Sequence, residues 1–132
     1  GKLLIYQGWN DFPLRPGRAI EFFNQANELN GGAQSAGDFL KMFMVPGMVH
    51  CASGPGAWMT DYVAPMVAWR ENDTAPEKLI AVQNGWRVSQ PPEALAAQVG
   101  GFTRPLCAFP ALAKYNGSGD QTQAESYSCK VP

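Results

Sequence analysis

The chain has 132 residues, 45% of them hydrophobic, which is enough to build the core of one domain or part of a larger one. Ten Lys+Arg stand against 11 Asp+Glu with no run of either sign, for a net charge of −1, so there is no electrostatic reason to expect nucleic acid or an anionic membrane as a partner. No apolar stretch approaches the roughly 20 residues a membrane helix needs. Gly1-Lys2 leads straight into a strand-like run without a signal-type segment, which in an internal piece of a longer chain says nothing about compartment.

Residues 2–6 form a short, nearly unbroken apolar run, the pattern of a parallel strand covered on both faces. The loop Gln7-Gly8-Trp9-Asn10 then delivers Asp11, and Pro13 and Pro16 break the chain. Pro16-Gly17 opens a predicted helix whose apolar face is Ala19, Ile20, Phe22, Phe23, Ala26 and Leu29, and Gly31-Gly32 ends it. A second strand is predicted at residues 39–45, followed by a Gly/Pro loop at 46–56 that carries His50, the only histidine. Over residues 57–72, Met59, Tyr62, Val63, Met66 and Trp69 recur at helical spacing, with Trp69 assigned to the core and Pro65 expected to kink the helix. Beyond Ala75-Pro76 the pattern weakens to a short strand at 78–82 and a short helix at 91–99. Residues 100–132 are rich in Gly, Ser and Pro, with no clear period.

The order strand, helix, strand, helix predicts an α/β fold with two βα units of a parallel sheet. Loops at the carboxyl ends of neighbouring parallel strands open on one sheet edge, where such folds bind ligands. Two parallel strands with two helices leave an open edge and one bare face, so the chain reads as the second half of a larger sheet. Residues 1–82 are expected to be that half, carrying the Asp and His loops. Residues 83–132 are expected to be a loop-rich tail of the same domain.

Asp11 and His50 both follow a predicted strand end, in the order Asp then His. That order matches the back half of a Ser…Asp…His relay in an α/β-hydrolase. His50 would accept the serine proton and hand it to the leaving alcohol, while Asp11 fixes the imidazole tautomer. The structural alternative for Asp11, near Pro13 and Pro16, is an Asx-turn or a cap for the following helix. No Gly-x-Ser-x-Gly occurs, and neither Ser53 nor Ser118 has the flanking glycines of a nucleophile elbow. The nucleophile and the main oxyanion donors are therefore expected outside this chain, which by itself is expected to be inactive. A metal at Asp11, His50 and Cys51 is disfavoured because adjacent His-Cys is poor spacing for zinc. Trp9 and Trp58 flank the predicted site and are candidates to stack on an aromatic acyl group, Trp58 the better of the two. Asn116-Gly117-Ser118-Gly119 lacks the strand and lysine of a phosphate loop and reads as a turn.

Three cysteines are an odd count. Cys107 and Cys129 flank the loop-rich tail and are expected to pair. Cys51 is then left as a reactive thiol, an intermolecular bridge, or the partner of a cysteine elsewhere.

Five segments in order resemble the tannase and feruloyl esterase family: Gly8-Trp9-Asn10-Asp11, Phe43 to Cys51, Arg104-Pro105-Leu106-Cys107-Ala108-Phe109-Pro110, Ala113 to Asp120, and Ser126-Tyr127-Ser128-Cys129. The resemblance implies the C-terminal part of a secreted or periplasmic α/β-hydrolase that cleaves aromatic carboxylic esters of feruloyl or galloyl type. It implies that Asp11 is the triad acid and His50 the base. Cys51 then resembles the cysteine bonded to one directly before the nucleophilic serine, and Cys107–Cys129 a separate tail disulfide. The family's lid domain, with its calcium site, has no counterpart in this sequence, so no cofactor is expected in the chain itself. Val49 replaces a small residue, and Gln7 stands where histidine is common. The partners implied are an aromatic ester and the N-terminal half of the same protein. The competing expectation is a non-catalytic, disulfide-stapled extracellular binding module.

Overall fold

A computed structural model describes residues 1–83 and 101–132 of the chain. Strand β1 (Leu3–Gly8) pairs in parallel with β2 (Leu40–Val45), in register from Leu3 opposite Leu40 to Gly8 opposite Val45. Helix α1 (Pro16–Leu29) makes the crossover, and a single extra turn, α2 (Ala33–Ala36), precedes β2. Pro16 sits in the first turn of α1, where its missing N–H has no helical acceptor to lose. At the other end, Asn30 Nδ2 donates to the Ala26 carbonyl at 2.7 Å, and Gly31 and Gly32 take positive φ, so the helix stops where the sequence predicts.

The apolar run of β2, interrupted only by Lys41, whose ammonium reaches Glu77, reflects a strand buried on both faces. Leu40, Met42 and Met44 pack with Phe23 of α1, with Ile5, Ala19 and Ile20 around them. Phe43 and Val45 point the other way, into a second cluster with Met48, Ala57, Leu79, Ala81, Leu106 and Ala108. Each such large side chain, fully buried, contributes roughly 1.5–3 kcal/mol. The face expected to be bare is therefore filled, by residues the sequence pattern assigned to the weak region after Pro76.

That filling comes from β3 (Lys78–Gln83) and β4 (Phe102–Cys107), an antiparallel pair. A bridge between Phe43 and Ala108 joins the end of β4 to β2. A second hairpin, β5 (Leu112–Tyr115) with β6 (Tyr127–Lys130), follows. The tail is thus not irregular as expected: it holds β4, β5 and β6. Their sequences hide the period because they are short, and because Pro105 and Arg104 interrupt the apolar pattern. The disulfide Cys107–Cys129 is formed and ties the end of β4 to β6. Asn116 to Gly119 lie in the turn between β5 and β6. The helix expected at 91–99 falls outside the described residues.

The second main helix, α3 (Val63–Asn72), is shorter than the predicted 57–72. Met59 is captured by Val82 in a backbone bridge, N to O at 3.2 Å and 2.8 Å, which holds the preceding segment extended. Asp61 Oδ1 then accepts from the Val63 and Ala64 N–H groups at 2.8 and 3.1 Å and starts the helix. Pro65 consequently lies in the first turn, where it costs no helical hydrogen bond, and no kink is required. Trp69 is 1% exposed, as its spacing predicts, with Lys2 Nζ 5.3 Å above the ring and bonded to Asp73. Phe22 and Leu29, assigned to the buried face of α1, are instead exposed: the face that meets β2 is centred on Phe23, Ala19 and Ala26, and those two point away from it.

Candidate active site

In-register pairing of Gly8 with Val45 brings the ends of β1 and β2 side by side, so the Asp and His loops leave the sheet at one edge. The loops are then laced together. The Trp9 N–H donates to the Val45 carbonyl at 3.1 Å and the Asn10 N–H to the Met48 carbonyl at 3.0 Å. A Cβ on Gly8 would stand 2.3 Å from the Met48 oxygen and 2.5 Å from that of Val49, so this close approach admits only glycine. The His loop itself folds back tightly: Gly54 takes φ +101°, and a Cβ there would meet the Gly47 oxygen at 2.1 Å. Met48 is buried in the core and anchors the loop from below.

His50 Nδ1 lies 2.9 Å from Asp11 Oδ2. The carboxylate is buried, its side chain 3% exposed, while the imidazole is 45% exposed. Asp11 has two further donors, the Leu14 N–H on Oδ1 at 3.0 Å and Gln7 Nε2 on Oδ2 at 2.9 Å. Burial works against the ionised form, but the hydrogen bonds from Leu14, His50 and Gln7 and the charge of His50 together outweigh it, and the carboxyl is held below its ordinary value. An ionised carboxylate can only accept, so the proton of the Asp11–His50 bond sits on Nδ1. In the tautomer with that proton on Nδ1 and no other, the lone pair is on Nε2, which has no hydrogen-bond partner among the described residues.

The two readings of Asp11 turn out to be compatible. Its Oδ1 closes a turn with Leu14, three residues on, and its Oδ2 holds His50. An open cavity of about 210 Å³ adjoins the pair, lined by Tyr6, Gln7, Gly8, Leu14, Met48 and Cys51 beside Asp11 and His50 themselves. Cys51 is a free, exposed cysteine at φ 63°, beside the histidine. Neither tryptophan candidate lines this cavity. Trp9 is 43% exposed on the Asp loop, and Trp58 packs against the buried cluster under the His loop. Ser53 and Ser118 do not line it either. Gln7 and Leu14, as partners of Asp11, were not expected from the sequence. A polar side chain near the end of an apolar strand was the available signal for Gln7. Among the described residues, no three His, Cys, Asp or Glu side chains gather as a metal site, and no helix is long and apolar enough to cross a membrane.

Comparison with known proteins gives the chain a family. The family model for tannase and feruloyl esterase matches residues 1–130, and the chain belongs to that family. It is 34% identical over 132 residues to the mono(2-hydroxyethyl) terephthalate hydrolase of Piscinibacter sakaiensis, a match covering 100% of this chain and 20% of that protein. It is 30% identical over 134 residues to a probable feruloyl esterase of Arthroderma benhamiae, covering 97% and 22%. The crystal structure of an esterase from Aspergillus oryzae superposes with a TM-score of 0.80 at 23% identity, over 98% of this chain and 27% of that one. The chain therefore spans about a fifth of the length of these curated relatives.

Proposed function

We propose that the chain supplies the acid and base of a serine carboxylic-ester hydrolase acting on aromatic acid esters, with the nucleophile in a part of the protein outside this sequence. The observation that carries this is the Asp11–His50 contact at the carboxyl ends of two register-paired parallel strands, with the second ring nitrogen of His50 unbonded among the described residues and a cavity beside the pair. The names of the relatives, a terephthalate monoester hydrolase and a feruloyl esterase, support an aromatic acyl group.

In this reading His50 Nε2 takes the hydroxyl proton as serine oxygen attacks the ester carbonyl, then gives that proton to the departing alcohol. A water follows the same route in reverse and releases the acid. Asp11 holds Nδ1–H and stabilises the imidazolium that forms at each transfer. Cys51, free and adjacent to His50, is proposed to bond to a cysteine beside the serine. Trp58, partly buried against the core, and Trp9, exposed on the Asp loop, are both proposed as aromatic contacts near the site. The calcium implied by the family resemblance belongs to a lid outside this chain and takes no part in these steps.

The same reading makes β1 an internal strand of a larger α/β-hydrolase sheet. Leu3 and Tyr6 on β1, Phe22 and Leu29 on α1, and Val63 and Val67 on α3 are exposed, which supports a neighbouring part of the protein that covers them. Residues 1–82 are then the active-site end of that sheet, and residues 83–132 its stapled tail.

The test is hydrolysis of methyl ferulate by the complete protein and its His50→Ala variant. Loss of turnover with an unchanged melting temperature supports the relay. Equal turnover in both proteins would overturn the role of His50, and methyl ferulate binding without any turnover in either would favour the binding-module reading instead.

A further inference from the structure

Asp11 Oδ2 is shared by two donors at equal distance, His50 Nδ1 and Gln7 Nε2, both at 2.9 Å. The Gln7 amide also donates to the Leu14 carbonyl at 3.2 Å, and the Leu14 N–H donates to Asp11 Oδ1 at 3.0 Å. Gln7, Asp11 and Leu14 thus form a closed ring of hydrogen bonds, with both amide hydrogens used. A third oxygen, that of Gly8, lies 3.4 Å from the same nitrogen. These three neighbours of the amide nitrogen are all acceptors, so the NH₂ end, and not the carbonyl, must face Asp11.

We infer that Gln7 is a positioning residue for the proton relay, a neutral clamp that fixes the plane of the Asp11 carboxylate so that Oδ2 meets His50. The inference rests on the Asp11–His50 reading above. Three features carry it. Gln7 stands on β1, in register opposite Met44 of the buried strand β2, so the clamp is mounted on a rigid element while Asp11 is on a loop. The clamp spans the turn from both ends, which prevents the carboxylate from rotating about its Cβ–Cγ bond. Its neutrality matters as well. A lysine or arginine at position 7 would reach the same oxygen but would neutralise the carboxylate, leaving less field to stabilise an imidazolium. An amide orients without competing. The titratable groups that share the cavity with Asp11 are His50 from the β2–α3 connection, Cys51 beside it and Tyr6 of β1.

The experiment uses the complete protein with methyl ferulate, and compares Gln7→Leu, Gln7→Glu, Gln7→His and His50→Ala by kcat, KM and melting temperature. Gln7→Leu is expected to lower kcat about 10- to 100-fold with KM little changed. Gln7→His is expected to restore most of it, because a ring N–H can stand where the amide nitrogen does. Gln7→Glu is expected to be worse than Gln7→Leu at neutral pH, where two carboxylates face each other. That gap should close in acid, where the introduced carboxyl takes up a proton and regains a donor. Full kcat in Gln7→Leu, in a protein whose His50→Ala variant is dead, overturns the role of Gln7 alone. Equal losses in all three Gln7 variants, tracking a fall in melting temperature, also overturn it by making Gln7 a stability residue. Should the leucine variant not fold, the two variants of similar size decide the matter. Full activity in His50→Ala would overturn the relay reading itself.

Discussion

The α-carbon of Gly8 faces the carbonyl of Met48 so closely that the smallest side chain would overlap it, at 2.3 Å. This contact sets the spacing between the Asp loop and the His loop, and with it the Asp11–His50 distance. Both obstructing groups, the Met48 and Val49 oxygens, are backbone, so they cannot rotate away. Gly8→Ala is therefore expected to push the loops apart, costing about 1–3 kcal/mol by overpacking. Urea denaturation checks the stability change. Loss of methyl ferulate turnover beyond what the unfolded fraction explains would mark the displacement of His50.

Asp11→Asn keeps the shape of the side chain but presents an amide to His50, favouring the wrong imidazole tautomer. In the complete protein, kcat is expected to fall by about 10⁴-fold, the order seen when a triad acid is replaced in this way. KM should move little.

The stability contributed by Asp11 has a defined pH dependence. Its carboxyl is held below 3.8 in the fold despite burial, by Leu14, His50 and Gln7, so the unfolded chain takes up this proton first as pH falls. The contribution is thus complete above 3.8 and disappears as the pH drops through the lower folded value. Denaturation curves of wild type and Asp11→Asn should differ above pH 3.8 and converge as the pH falls below it.

The Cys107–Cys129 bond closes a loop with a sequence separation of 22 and joins β4 to β6. Replacing both cysteines by alanine is expected to destabilise the fold by about 3 kcal/mol in the chain-entropy model. Thermal unfolding measures it. The Asp11–His50 pair does not touch the hairpin, so activity at low temperature should persist.

Trp69 is sealed beneath Lys2, whose ammonium bonds Asp73 at the end of α3. Trp69→Ala should cost about 3–5 kcal/mol through the cavity it leaves. Lys2→Ala, which removes only a partly exposed cap, should cost far less. Equal losses for the two variants in chemical denaturation would show that burial of the ring is not what stabilises this corner.

How much of this could be read from the sequence varied with burial pattern. Strands β1 and β2 were legible because both faces of β2 are buried, which writes an apolar run into the chain. Asp11 and His50 were legible because each follows such a run at a Gly-containing loop. The start of α3 was not, since Met59 has helical spacing to Tyr62 and Met66 but is held extended by Val82, which is distant in the chain and invisible to a local window. Strands β4 to β6 were missed for a related reason. Their burial depends on partners across the chain, and Pro105 sits at a strand position that sequence rules discount. The exposed Phe22 and Leu29 show the opposite error, apolar residues read as core where this chain alone does not cover them. In the sequence Gln7 stands out only as a departure from a family pattern. Its clamp on Asp11 depends on the path of the loop, which the sequence does not encode locally.

Strand β2 gives neither of its sides to solvent. Leu40, Met42 and Met44 belong to one core while Phe43 and Val45 belong to the other, and His50 hangs on the loop just beyond the last of them. The strand therefore keeps the molecule in phase. Inserting or deleting a single residue within it would exchange the contents of both cores at once. It would also swing the imidazole to the wrong side of the sheet. Length, more than composition, is what this segment can least vary.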